Sequence, residues 1–161
     1  MPLCACCRIT GWHAFDPNGG DDENSGLLPA LYDGSKTTAW QTECYANQYM
    51  GSIQYVGVAL DLAGSTKDHA LEITLGAAPW NLEFYTSNDA EVPATLAGWG
   101  APAGQQNSSS KNDLTATFKL PTDGAAHALV LFRQLPVGPK CSGSNPYQGS
   151  IGEITLTPVA G

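Results

Sequence analysis

The chain has 161 residues, with 7 Lys or Arg against 15 Asp or Glu, so its formal net charge is -8. A domain of this size can bury a full core, and 42% of the residues are hydrophobic. The acidic balance lacks the basic surface that nucleic acid or anionic lipid requires, and no apolar run approaches the roughly 18 residues of a membrane span. The composition therefore predicts one globular domain, with no nucleic-acid partner and no membrane insertion of this fragment.

Short segments that alternate apolar and polar residues recur along the chain, a pattern typical of half-buried strands. In chain order they are 9–15, 38–41, 56–62, 69–75, 80–86, 114–120, 127–133 and 151–157. Turns rich in Gly, Pro, Asn and Asp separate them, and only 27–32 fits a short turn of helix. Because apolar sheet faces need a second sheet to cover them, about eight antiparallel strands predict an all-β sandwich or jelly roll.

The five cysteines are unevenly placed, with Cys4, Cys6 and Cys7 crowded at the start. No second Cys or His pair stands at zinc-finger spacing, so we interpret residues 1–8 as a Cys-rich tail outside the fold. Residues 9–161 then form a single β-sandwich domain.

Two acidic segments are candidate cation sites. The Asp33-Gly34 turn combines a carboxylate with bent backbone carbonyls; Thr38 adds a hydroxyl and Glu153 could complete a Ca²⁺ shell, unless Asp33 only bonds its own turn. The segment 16–24 fails the EF-hand pattern at its sixth and twelfth positions. It is either a solvated acidic loop or a second cation site.

The Asp-Gly turn, the Thr-x-Trp that ends at Trp40, and the late Gly-Glu-Ile at 152–154 together resemble the galactose-binding-like or discoidin (F5/8 type C) jelly roll, a non-catalytic module. The stretches 14–24, 40–45 and 56–62 are similar to a narrower actinobacterial branch. That branch is the extracytoplasmic C-terminal domain of MviN-type flippase homologues and of membrane Ser/Thr kinases. Ser35 stands where family members often have a second Asp, which leaves a backbone carbonyl but removes a carboxylate. The resemblance implies an extracytoplasmic location, as part of a membrane-anchored or secreted protein.

Cys44 and Cys141 are atypical of that branch, and both fall in loops beside the Asp33 and Glu153 segments. They could form a disulfide, which suits an exported domain, or remain two free thiols.

Three long segments without strand periodicity, 44–52, 97–112 and 138–148, are the predicted binding loops at one end of the sandwich. They combine aromatic rings, which stack on sugars, with amides that bond hydroxyl groups. The ligand-binding candidates are Tyr45, Asn47, Gln48, Tyr49, Trp99, Asn145 and Tyr147. Alternatively, each aromatic ring only packs, and 98–110 is a flexible insertion.

Nothing in the sequence indicates an enzyme, since neither HExxH nor GxSxG occurs and His13, His69 and His127 are far apart in the chain. Pairs of Asp61 with Glu72 or Glu83 could be imagined as glycosidase carboxylates, but the sequence gives no separation between them. The function expected is a non-enzymatic module that binds cell-wall glycan or a related carbohydrate. The alternative is a protein-interaction or structural domain of a membrane protein with no sugar site.

Overall fold

The computed structural model of the chain describes residues 7–19, 23–35 and 37–159. Within them lie a 3-10 helix, Ser25–Tyr32, one α-helical turn, α1 (Leu96–Trp99), and nine strands. The strands are β1 (Arg8–Phe15), β2 (Trp40–Gln41), β3 (Val56–Ala63), β4 (His69–Leu75), β5 (Trp80–Ser87), β6 (Gly104–Ser108), β7 (Thr115–Lys119), β8 (His127–Gln134) and β9 (Ser150–Pro158). The predicted helical turn at 27–32 is confirmed as part of the 3-10 helix.

The strands form two sheets that pack face to face. One sheet has the order β1-β3-β8-β5-β6 and the other β2-β9-β4-β7, and all pairs are antiparallel. The alternation in β3 places Val56, Val58 and Leu60 in the core between the sheets, with Trp40 and Trp80 from other strands. The predicted all-β sandwich is therefore confirmed.

The segment 97–112, which the sequence analysis assigned to a long loop, is partly regular structure. It contains the end of α1 and all of β6, whose sequence GQQNS has no apolar residue. Strand β6 forms because it pairs with β5 and because Gln106 bonds the backbone of Thr117 across the sandwich. The loop assignment was wrong here, since the contacts that make β6 a strand come from distant residues rather than from its own pattern.

The predicted boundary at residue 9 also differs from the structure. Cys7 is 8% exposed and packs in the core, and Arg8 is the first residue of β1, opposite Ala63. The last two residues of the predicted tail are thus part of the fold, whereas Cys4 and Cys6 lie outside the described residues. Among the residues described, no helix has the length and apolar character needed to cross a membrane.

Candidate functional site

A disulfide between Cys44 and Cys141, with Cα atoms 5.9 Å apart, joins two loops at one end of the sandwich. That end, called here the disulfide end, is where β1 and β8 finish and β3 and β9 begin. Beside the disulfide, the backbones of Tyr45 and Tyr147 exchange hydrogen bonds of 2.7 and 3.0 Å. The predicted pairing of the two cysteines is confirmed.

The loop that follows Cys44 is held by one buried side chain, Met50, and exposes the aromatic ring of Tyr49 to solvent. Met50 is 3% exposed and Tyr49, its neighbour, is 54% exposed. Met50 and Gln54 have φ angles of 67° and 70°, in the left-handed region that L residues other than Asn and Asp rarely adopt. The side chain of Asn47 accepts the Tyr49 N–H at 2.7 Å. Such local strain persists only where the surroundings fix it, so the Tyr49 ring stands on an ordered loop.

Six of the seven predicted ligand residues come together at the disulfide end. Gln48 bonds the side chain of Gln134 and the backbone of Leu135, which ties its loop to the one that carries Asn145 and Tyr147. Trp99 does not join them. It is 4% exposed and packs with Phe15 on the outer face of the five-stranded sheet.

A pocket of about 340 Å³ opens at the disulfide end. Its lining shares an acidic character, with three carboxylates and no basic side chain among the lining residues. The lining consists of Asp16, Gly19, Glu23, Glu43, Cys44, Tyr45 and Ile53. Four of these residues, Glu43, Cys44, Tyr45 and Ile53, belong to the loop between β2 and β3 that carries Tyr49, so the exposed ring and the acidic pocket are parts of one end of the molecule.

Glu23 is the buried acid of this pocket, with 1% of its surface exposed. Its carboxylate accepts hydrogen bonds from the Tyr45 hydroxyl and, at 2.7 Å, from the backbone N–H of Glu43. Its carbonyl accepts the indole N–H of Trp40 at 2.9 Å. Burial raises the pKa of Glu23 from 4.5 to about 7; the bonds from Tyr45 and Glu43 oppose that rise, and the carboxyl of Asp16 adds to it.

Of the two interpretations of the acidic segment 16–24, the solvated loop is wrong for Glu23. The sequence contains no signal that separates this residue from the other acids of the segment. Its burial depends on Trp40 and Tyr45, which reach it from across the fold. Burial and the Glu23 carboxylate also raise the pKa of Tyr45, which keeps its hydroxyl a donor.

The residues predicted to hold a cation lie beside one another, at the end of the 3-10 helix and on β9. The Asp33 carboxylate accepts the Thr38 hydroxyl at 2.5 Å and the Ser35 N–H at 2.9 Å. The bond from Thr38 is the main cause of a lowered pKa at Asp33, whereas burial and then Asp33 raise the pKa of Glu153. The Ser35 hydroxyl instead bonds Thr37.

Glu153 supplies the observation that tests this set as a cation site. Its Oε1 atom is buried and has no hydrogen-bond partner within the described part of the chain. In the same residues there is no group of three or more His, Cys, Asp or Glu side chains placed to hold a metal. A hard cation here would therefore rest on two carboxylates supplemented by hydroxyl and carbonyl oxygens, a donor set that suits Ca²⁺.

Two histidines that are distant in sequence meet at one carboxylate on the outer face of the five-stranded sheet. His13 and His127 bond the two oxygens of Asp61 at 2.8 and 2.9 Å. Burial would raise the pKa of Asp61, but the two histidine bonds outweigh it and lower that pKa. Glu72 lies in the other sheet from Asp61, so the fold separates that imagined carboxylate pair.

The chain is similar to known proteins in its fold but not in its sequence. No family model matches the chain, and no curated protein matches its sequence. It is similar to the Ruminococcus gnavus GH29 fucosidase, with a TM-score of 0.59 and 14% identity over 92% of this chain and 25% of the fucosidase chain. It is also similar to a chitosan-binding module of a Paenibacillus chitosanase/glucanase, with a TM-score of 0.54 and 16% identity over 91% of this chain and 93% of the module.

A third similar structure is the arabinofuranosyltransferase AftD from Mycobacteria, with a TM-score of 0.57 and 14% identity over 94% of this chain and 11% of the transferase. The chain thus spans a small part of both enzymes but nearly the whole chitosan-binding module. Identities this low show the fold alone, and that fold agrees with the galactose-binding-like jelly roll. The narrower resemblance to flippase and kinase domains stays a prediction.

Proposed function

We propose that the chain is a non-enzymatic carbohydrate-binding module that acts outside the cytoplasm and binds cell-wall glycan at its disulfide end. The observation that carries the proposal is that the loop between β2 and β3 exposes the Tyr49 ring and also supplies four of the seven residues that line a polar pocket. An aromatic face beside convergent hydrogen-bonding groups is an arrangement that suits sugar rings. The likeness to a chitosan-binding module of nearly the same extent supports it.

The charge of the pocket favours glycans that carry amino groups. Asp16 and Glu43 contribute carboxylates, Glu23 adds a third above about pH 7, and the whole chain has a net charge of -8. A protonated amine would neutralise these acids in a partly buried setting, where charge interactions are screened less than in water. Chitosan, which the similar module binds according to its name, carries such amines.

A structural Ca²⁺ is the second part of the proposal, held by Asp33, Thr38, a backbone oxygen of Ser35, and Glu153. The unpartnered Oε1 of Glu153 beside the Asp33 carboxylate supports it, because two adjacent carboxylates without a cation repel each other. When bound, the ion would fasten the loop after the 3-10 helix to β9 and would take no part in chemistry.

An extracytoplasmic location agrees with the Cys44–Cys141 disulfide, since disulfides persist in oxidising compartments. The alternative function, a protein-interaction domain, would need a broad exposed apolar patch. Among the described residues, the large apolar side chains with more than a third of their surface exposed are Leu27, Tyr32, Tyr49 and Val137. They do not all lie together, which favours glycan binding.

Affinity measurements with chitosan oligomers and peptidoglycan fragments test the proposal. Tyr49→Ala should weaken binding about tenfold or more with the fold intact, because a stacking ring contributes about 1 to 2 kcal/mol. Tyr32→Ala is the matched control: Tyr32 is 53% exposed but stacks on Trp12 in the middle of β1. Equal binding by Tyr49→Ala and the parent, or no glycan binding by the parent, would contradict the proposal.

A further inference from the structure

The outer face of the five-stranded sheet carries an array of polar side chains that the disulfide-end site does not use. In β5, Trp80, Leu82 and Phe84 point into the core, so Asn81 and Glu83 point outward. The register pairs Asn81 with Asn107 and Glu83 with Gln105 of β6. Directly opposite residues on one face have Cβ atoms about 5 Å apart, and residues two apart on a strand are about 7 Å apart, so these four side chains form a compact rectangle.

Arg133 of β8 adds a cation to this array, and its position is fixed. Its Nε donates to Glu83 Oε1 at 2.7 Å, and the same oxygen accepts the Tyr85 hydroxyl at 2.7 Å. The guanidinium lies 5.0 Å from the centroid of the Tyr55 ring. Side-chain exposures of 32% for Arg133 and 17% for Glu83 show that this ion pair is half-buried. It is therefore pre-organised rather than a mobile surface contact.

The array has hydrogen-bonding capacity that the described part of the chain leaves unused. Gln105 donates to Asn81 Oδ1 at 3.1 Å, which leaves the Asn81 amino group and the Gln105 carbonyl free. The Asn107 side chain makes no bond to any described residue, and neither does Glu83 Oε2. Free donors and acceptors thus alternate over two adjoining strands, in the mixture that vicinal hydroxyl groups satisfy.

We propose that this array, formed by Asn81, Glu83, Gln105, Asn107 and Arg133, is a second glycan-binding surface that takes neutral polysaccharide. The choice of a neutral ligand follows from charge, because Glu83 and Arg133 compensate each other and the other three members are uncharged amides. The disulfide-end pocket, by contrast, is lined by three acidic side chains and no basic one. A flat face across neighbouring strands accommodates several sugar units of a chain, whereas a pocket accommodates one end or one unit.

One side of this surface is bounded by the segment that contains α1. The segment returns to the sheet where Ala103 donates to the carbonyl of Phe84 at 2.7 Å. Trp99 of α1 is buried over the middle of the same face, with Leu129 and Leu131 beneath it. The sequence analysis proposed Trp99 as a ring that stacks on a ligand, but its 4% exposure makes it a packing residue that borders the array instead.

Titration of the isotope-labelled, oxidised protein followed by nuclear magnetic resonance tests the proposal. The probes are xylohexaose, laminarihexaose and mannohexaose, at up to about 10 mM, which suffices to detect a Kd near 1 mM. The side-chain amide signals of Asn81, Gln105 and Asn107 report on the array, and those of Asn47 and Gln48 report on the disulfide end. We expect at least one neutral hexasaccharide to shift the three array signals.

Asn107→Ala should weaken that binding several-fold without a change in melting temperature, because the side chain is exposed and makes no contact that the fold needs. Arg133→Lys, which keeps the charge but loses the planar fork, should weaken it further. Asn112→Ala is the matched control, an exposed Asn in the loop before β7. Shifts confined to the disulfide end would overturn the second surface and leave the proposed function standing. If none of the three neutral hexasaccharides shifts the array signals, the second surface is overturned as well. If chitosan oligomers fail to bind at the disulfide end, the proposed function is contradicted and the second surface is unaffected.

Discussion

Glu23→Gln is the substitution that examines the acidic pocket most directly. In the folded protein the pKa of Glu23 is about 7, and its ordinary value is 4.5. Between these two pH values the folded state holds a proton that the unfolded state has released, so the free energy of unfolding falls as pH rises. The contribution is fully present below pH 4.5 and is lost above about pH 7.

The size of this effect follows from the free energy equivalent of a pKa change. Moving a carboxyl pKa from 4.5 to about 7 corresponds to roughly 3 kcal/mol at 25 °C. Gln is nearly isosteric with Glu and carries no charge at any pH. Its carbonyl can accept the N–H of Glu43, and its amino group can donate to the Tyr45 oxygen. The variant should therefore keep the fold and lose the pH-dependent contribution.

Urea denaturation at several pH values between 4.5 and 8, with the disulfide intact, measures the prediction. The stability of the parent should fall relative to that of Glu23→Gln across this range, by up to roughly 3 kcal/mol. Glu72→Gln is the control, because Glu72 is exposed on the outer face of the other sheet. If the parent and Glu23→Gln change with pH in parallel, Glu23 is not the buried acid that the structure indicates and the argument for the pocket chemistry fails.

Three further predictions concern the other parts of the molecule. Replacing Cys44 and Cys141 with Ser should lower stability by roughly 4 to 5 kcal/mol for a loop of 97 residues, measured by urea denaturation against the oxidised parent. If Ca²⁺ is held as proposed, chelator should lower the melting temperature of the parent but not that of Asp33→Asn; equal effects on both would contradict the site. Gly11→Ala should be destabilising, because its Cβ would lie 2.1 Å from Asp61 Oδ2 and displace the carboxylate that both histidines bond. A melting temperature equal to that of the parent would exclude this clash.

The sequence predicts the strands well where one face of the strand is buried and the other is not. Thr115 to Lys119 is the clearest case, since its alternation corresponds directly to the half-buried β7. The alternation of Val56 to Leu62 also identifies β3, although both faces of that strand are covered. Hydrophobic periodicity does not predict β6, because this strand has no apolar residue. It forms because it pairs with β5. The Cys44–Cys141 pair could be proposed because both cysteines lie in predicted loops beside the Asp33 and Glu153 segments. Only the structure shows that their Cα atoms are 5.9 Å apart.

The candidate site was less predictable than the fold, and Glu23 shows why. Sequence reasoning treats an acid in a polar, Gly-rich segment as solvated, because burying a carboxylate is costly unless partners compensate. Here the partners are the Tyr45 hydroxyl, the Glu43 N–H and the Trp40 indole, which hold both the side chain and the carbonyl of Glu23. These contacts join residues about 20 positions apart, so the local composition around Glu23 does not predict them.

Trp99 and Tyr49 show that the sequence also does not tell a buried aromatic ring from an exposed one. Both are aromatic residues in segments without strand periodicity, so sequence reasoning gives them the same role. The structure separates them, with Trp99 at 4% exposure on the outer sheet face and Tyr49 at 54% exposure on the loop that helps to line the acidic pocket. An aromatic ring can stack on a sugar only if one face is free, and that property depends on which residues fold over it. Assigning a ligand role to an aromatic loop residue therefore requires the packing of the whole domain, which is why Tyr49, and not Trp99, is the residue to mutate first.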